Sequence, residues 1–323
     1  MRPEAGSDGL PARPALAPWY RLVASRGRVL LEHAGSVVTL EGRGAATLLP
    51  ALLPLLDGTR SVEQLIGELG LAAEPAVLNA LELLARHGLL LDGPAGADDS
   101  PAGLAAAALF VAAGTRRTSP AEARAALTAA DVGLAGSGEI AAELARLLDE
   151  AGVRAAREPL DDAGADFVVA APAATELRRL GELNDRRLRS RRAWLQVLPP
   201  DGRSVVVGPL FLPGLSACHS CYRLRRGACS DYENDFDAID EAASQAASPQ
   251  ALLAAAAGIA TVLVIRWLAA RDPTLPGRFY ALETGAVLGL SHHHLLRVPR
   301  CPSCGDAAAP LPAPWYREAA HAG

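Results

Sequence analysis

The chain has 323 residues, half of them apolar, and a formal net charge of -5; this excludes a disordered or collagen-like protein and favours two domains. All 31 basic residues are arginine, so a Walker-type phosphate loop, a Schiff-base mechanism and a lysine-assisted adenylation site are all excluded. The acidic balance leaves no electrostatic footprint for nucleic acid, and the arginine run "RRLRSRR" at 186–192 reads as a solvated loop or helix end.

Residues 1–17 are rich in Pro, Ala and Gly and are expected to be disordered; no apolar core follows the first charge, so no signal peptide is expected and the location is cytoplasmic. A module follows over 18–93. "YRLVAS", "RVLLEH" and "SVVTLEG" read as three short strands of an antiparallel sheet, rich in branched residues and separated at glycines. The apolar run "GAATLLPALLPLLDG" must end or kink at Pro50 and Pro54, because an interior proline costs about 3 kcal/mol.

In "TRSVEQLIGELG" Ser61 and Gln64 form a capping-box pattern, with Gly70 as the stop. "EPAVLNALELLARHG" is a third helix with Val77, Leu78, Leu81 and Leu84 on one face. Three strands and three short helices make a winged-helix-like module. A DNA-reading helix would be basic, whereas this third helix carries two Glu and one Arg, so a regulator role is set aside.

Residues 94–103 have linker composition, and the second domain is placed at 104–310 with a tail over 311–323. Within it "DVGLAGSGEIAAELARLLDEAGV" reads as a strand, a tight glycine turn and an amphipathic helix. Gly136, Gly138 and Ala141 match the spacing G-x-G-x-x-G/A, which admits either a nucleotide phosphate at the helix N-terminus or close strand-to-helix packing. The packing reading is preferred: Glu158 is a doubtful ribose ligand and no lysine exists to touch a phosphate. "ADFVVAAP", "AWLQVLPP" and "VVVGPLF" are further buried strands, giving an α/β class of Rossmann type.

The apolar stretch 251–265 stops at Arg266, short of the roughly 20 residues of a membrane span, and reads as a buried helix. "RFYALETGAVLGLSHHHLLRV" reads as a hairpin, in which only His292 and His294 share a face. "CHSC" and "CPSC" offer four soft donors, Cys218, Cys221, Cys301 and Cys304; the expected species is a closed structural zinc site of four thiolates that does no chemistry. Cys229 has no partner at this spacing and is expected to be a small buried residue.

Together "LLPLLDGTRSVEQLIGELG", "LELLARHGLLLDG", the strand-Gly-x-Gly-helix segment, "SACHSCYRLRRGACSDYENDF" and "HLLRVPRCPSCG" resemble the ocin-ThiF-like or cyclodehydratase C-type proteins. These accompany YcaO enzymes in azole and thiopeptide biosynthesis from ribosomal precursor peptides. The resemblance implies that the N-terminal module is a precursor-peptide recognition element. The leader would add as a strand along Val37, Val38, Thr39 and Leu40, and Val77, Ala80, Leu81 and Leu84 would line or support its groove. It further implies a degenerate ThiF-like domain with no catalytic residue of its own, ATP being used by the YcaO partner, and it allows a homodimer. The competing expectation is an ATP-dependent adenylating enzyme acting on a peptide.

Overall fold

The structure is a computed structural model that describes residues 10–33, 35–93, 100–103, 105, 109, 120–242, 248–284 and 288–305. The first nine residues, most of the expected linker and the tail at 311–323 lie outside the described residues. Two compact units emerge. One takes the described residues up to Ala129 with 150–152 and 268–271; the other takes the rest.

In the first unit β1 (Pro14–Leu16) pairs antiparallel with β5 (Leu90–Asp92), tying the two ends of the module together. Ala15 and Ala17 are fully buried. The expectation of disorder through residue 17 is therefore corrected: small side chains permit close packing that a composition argument does not see. β2 (Arg21–Ser25), β3 (Arg28–His33) and β4 (Ser36–Leu40) form the anticipated antiparallel sheet, with β3 central.

The proline-bearing run breaks as its prolines require, into α1 (Arg43–Thr47), α2 (Leu49–Leu52) and a single 3-10 turn at Leu53–Leu55. In α3 (Val62–Leu69) the capping box is formed: Gln64 N donates to Ser61 Oγ at 3.3 Å, and Ser61 N donates to Gln64 Oε1 at 2.8 Å. α4 (Glu74–Arg86) sends Val77, Leu81 and Leu84 into a core shared with Leu31, Leu52, Leu65 and Leu89, all seven fully buried. Burial of each such leucine is worth about 1.5–3 kcal/mol, which sets this helix in place despite its short loops. A further helix, α5, runs Pro120–Thr128.

The second unit is built on a seven-stranded mixed sheet. Its strands are β6 (Val132–Ala135), β7 (Ala155–Glu158), β8 (Phe167–Ala170), β9 (Trp194–Val197), β10 (Ser204–Phe211), β11 (Arg278–Thr284) and β12 (Leu288–His294), in the order β12-β11-β10-β9-β8-β6-β7. β7, β6, β8 and β9 run parallel, and β10 to β12 run antiparallel. β6, β8 and β9 are buried along their whole length, as expected of continuous apolar runs in a parallel sheet.

α6 (Glu139–Glu150) follows β6 and α7 (Arg179–Ser190) follows β8. Since β7 and β8 lie on opposite sides of β6, the sheet has a topological switch point at the C-terminal end of β6. α8 (His219–Ala228) and α9 (Phe236–Glu241) precede α10 (Gln250–Ala270).

The helix runs on past the apolar stretch and its arginine: α10 spans 21 residues, and Arg266 turns back to pair with Asp272. α10 is long and apolar enough to cross a membrane by length and composition; Leu253, Ala256, Ala257, Ala260 and Val264 on it are at most 1% exposed, as in a core helix.

The "RRLRSRR" expectation also needs correction. It is the end of α7, but Arg187 is 1% exposed rather than solvated. Its guanidinium donates to Ala165 O at 2.6 Å, Asp166 O at 2.8 Å and Ala193 O at 2.6 Å, joining the start of β8 to the start of β9. Burial, then the nearby Arg192 charge, lowers its pKa to about 10, which still leaves it protonated near neutral pH.

Candidate metal centre and peptide-binding edge

The thiols of Cys218 and Cys221 sit at the start of α8, and those of Cys301 and Cys304 on the turn after β12. The Sγ–Sγ separations are 3.9 Å for Cys218–Cys221, 3.7 Å for Cys218–Cys301 and 3.5 Å for Cys221–Cys304, and all four atoms lie within 4.8 Å of one another. None is disulfide-bonded. A tetrahedron with metal–sulfur bonds of about 2.3 Å has edges of about 3.8 Å, which the three shorter separations match.

Three of the four cysteines are buried, and they belong to the same core cluster as Trp194, Phe211, Tyr222 and Leu295. The Cys218 thiol donates to Cys221 and the Val298 N–H approaches the same sulfur at 3.3 Å, so Cys221 is lowered to about 4. Cys218 is pushed far up by that same contact and by burial, and burial raises Cys304 to about 11. A soft divalent cation binds such sulfur donors as thiolates and releases their protons.

Two arginines shape the second knuckle. Arg225 donates through Nε to Leu296 O at 2.7 Å and through Nη2 to Arg297 O at 3.2 Å, while Arg297 donates to Cys304 O. Gly305 closes the turn by donating to Cys301 O at 2.8 Å; a Cβ there would meet Cys301 N at 2.3 Å, so the glycine after "CPSC" is required by space. Below α8 a buried polar group fixes its first turn: His219 N donates to Asn184 Oδ1 at 3.0 Å, and His219 Nδ1 lies 2.9 Å from Gln196 Oε1. Burial, then the Arg223 charge, lowers His219 to about 3 and keeps the ring neutral.

The structure corrects one thiol: Cys229 is exposed, not buried, because it falls just after the C-terminal end of α8. His292 and His294 face Tyr280 and Arg278 across the β11–β12 pair, with His293 stacked on Phe279 at 5.0 Å. Among the described residues the four cysteines are the one cluster with metal-ligand geometry.

In the N-terminal unit β4 pairs with β3 along Ser36–Leu40, and among the described residues no strand covers its other edge. Val37 is 55% exposed, Thr39 is exposed and Val38 half-buried, whereas Leu40 is in the core. Of the four helix positions anticipated to line or support the groove, Val77, Leu81 and Leu84 are fully buried in the unit's own core and Ala80 is half-buried.

At the switch point Gly136, Gly138 and Ala141 occupy the β6–α6 turn, but the space they leave is filled by the chain itself. A Cβ at Gly136 would lie 2.5 Å from Ala171 O, and one at Gly138 would lie 2.7 Å from Pro172 O. Ala141 is fully buried. Glu158, at the end of β7, accepts from Gly164 N at 3.1 Å. Tight packing is thus what the small residues serve here.

The sheet order and the switch-point turn define a mixed α/β fold. No family model matches the chain and no curated protein matches it in sequence. Among solved structures it is similar to the heterocyclase TruD, at 24% identity and a TM-score of 0.73 over 92% of this chain and 43% of that one. A heterocyclase in complex with substrate and cofactor gives 25% and 0.72 over 91% and 40%. The microcin C7 biosynthetic enzyme MccB in complex with N-formylated MccA, MccB being an Escherichia coli protein, gives 13% and 0.63 over 90% and 99%. The chain therefore spans about two fifths of the heterocyclase chains and nearly all of MccB.

Proposed function

We propose that this protein is the peptide-binding partner of a YcaO cyclodehydratase. It holds the leader of a ribosomal precursor peptide on its N-terminal module, winged-helix-like in kind, and presents the core for ATP-dependent azoline formation at Cys, Ser or Thr by the partner. The observation that carries the reading is the fold match of over nine tenths of this chain to part of a heterocyclase, together with the edge of β4 that no strand covers among the described residues.

The chemistry fits a binding role. An extended leader added beside β4 takes main-chain hydrogen bonds from its uncovered edge, and the exposed Val37 and Thr39 side chains offer alternate contacts that read leader sequence. The four-cysteine cluster suits zinc in a structural role: with four protein sulfurs no position remains for water. Its residues hold α8 against the turn after β12, and a bound metal supplies the cross-link between them.

The test is fluorescence anisotropy with the leader of a precursor encoded beside the gene. Micromolar binding without nucleotide, and azoline formation only when the YcaO protein is added, is the expected result. Absence of leader binding sinks the proposal. The second reading, a peptide-adenylating enzyme, is favoured by the likeness to MccB, whose structures include one with ATP. It requires pyrophosphate release by this chain alone.

A further inference from the structure

Open α/β sheets bind ligands in the crevice at a topological switch point, yet the residues at that crevice of this chain do not fit a nucleotide. After a glycine turn, the N–H groups that open the helix normally face a phosphate. Here three N–H groups of the turn and first helical turn are spent within the chain. Ser137 N donates to Glu176 Oε2 at 2.9 Å, Gly138 N to Ala171 O at 3.3 Å and Ala141 N to Gly138 O at 2.9 Å. The same Glu176 oxygen accepts from Ala173 N at 2.8 Å, capping the short turn at Ala174–Glu176 that follows β8.

We propose that Glu176 is the resident anion of the switch-point crevice: its carboxylate takes the seat of a phosphate and latches the β6–α6 turn to the segment after β8. Burial opposes its charge, but the Ala173 and Ser137 donors outweigh that and hold its pKa below the usual glutamate range. The closed crevice also explains the glycines, whose missing Cβ atoms let the Ala171 and Pro172 carbonyls approach. At the other position where a nucleotide is read, Glu158 is committed to Gly164 N, and its carboxylate lies where a Cβ on Gly133 would stand. The latch is independent of any peptide-binding role.

The experiment compares the zinc-loaded full chain with Glu176→Ala and Glu176→Gln. Amide hydrogen exchange at Ser137 and Ala173 is read alongside calorimetric titration with magnesium ATP and with inorganic pyrophosphate. In the wild type both amides are protected and neither probe gives heat at millimolar concentration. Glu176→Ala accelerates exchange at both amides by about tenfold or more, the loss expected for a charge-assisted hydrogen bond. It also gains pyrophosphate binding that restores protection at Ser137.

Glu176→Gln keeps an acceptor but loses the charge, so its exchange lies between the two. If Glu176→Ala fails to fold, that intermediate acceleration alone decides. Unchanged exchange at Ser137 in the variants overturns the latch. ATP binding by the wild type with protection of residues 137–141, or an opened Glu176→Ala protein that takes no pyrophosphate, overturns the anion seat.

Discussion

Ser220 Oγ and Ser303 Oγ lie 2.7 Å apart, each the third residue of its C-x-x-C motif. The two knuckles are therefore joined by a hydrogen bond as well as by their sulfurs. Ser220→Ala should lower stability by about 0.5–1.5 kcal/mol, the ordinary net value of one such bond. Zinc stoichiometry, measured by atomic absorption, should stay at one per chain.

Loss of a ligand is a larger change. Cys301→Ser removes a buried sulfur from the core cluster that holds Trp194 and Phe211, so zinc should be lost and the seven-stranded unit destabilised. Leader affinity, which depends on the other unit, should survive. Loss of leader binding with zinc still in place contradicts the assignment. Thiol titration gives a direct check: the zinc-loaded wild type should show one fast-reacting thiol, the exposed Cys229, and all five after a chelator is added.

The cysteine pairs were legible in the sequence because a C-x-x-C turn carries its own geometry, and a partner pair is the only further requirement. Periodicity likewise identified Val77, Leu81 and Leu84 as one apolar face. It had no means of saying whether that face meets a ligand or its own core, since both bury the same residues; the structure gives them to the core and leaves Ala80 at the margin.

Other features were hidden for physical reasons. β7 reads "AARE" and is exposed or half-buried along its length, as an edge strand allows, so it lacks the apolar run that marked β6 and β8. Arg187 sits in a run of charge that is ordinarily solvated, and only the carbonyls it meets from distant segments give it a buried role. Glu176 has no motif at all. Its spacing to Ala173 is a capping pattern, but its bond to Ser137 is tertiary.

Arg187 gives a prediction of its own. Its three carbonyl acceptors are left unpaired in Arg187→Met, and each orphaned group costs about 1–3 kcal/mol. A loss of roughly 3 kcal/mol or more in denaturant unfolding of the α/β unit is expected. Arg192→Met, on an exposed neighbour, should change stability by less than about 1 kcal/mol.

Acid should act on the N-terminal unit through Asp57. The Thr59 hydroxyl at 2.6 Å and the Thr59 N–H at 2.9 Å, with the Arg60 guanidinium, lower its pKa from the ordinary 3.8 to about 2. A depressed carboxylate stabilises the fold above its unfolded pKa, and that contribution is lost as pH falls from 3.8 towards 2. Carboxyl carbon shifts in a pH titration should place Asp57 near 2 in the wild type and visibly higher in Thr59→Ala, which removes the largest cause. An unchanged midpoint in that variant contradicts the hydrogen-bond explanation.

The leader-binding edge is tested by a contrast between two residues of the same unit. Val37 is more than half exposed on β4, so Val37→Asp should leave zinc content and melting temperature almost unchanged, since surface substitutions usually stay within about 0.5 kcal/mol. Leader affinity should nevertheless fall about tenfold or more, because a charge replaces an apolar contact beside the added strand. Leu81, fully buried, should behave in the opposite way: Leu81→Ala costs about 2–5 kcal/mol and weakens leader binding only in proportion to the unfolded fraction. Equal affinity for Val37→Asp and wild type, measured by anisotropy at one temperature where both are folded, places the leader somewhere other than β4.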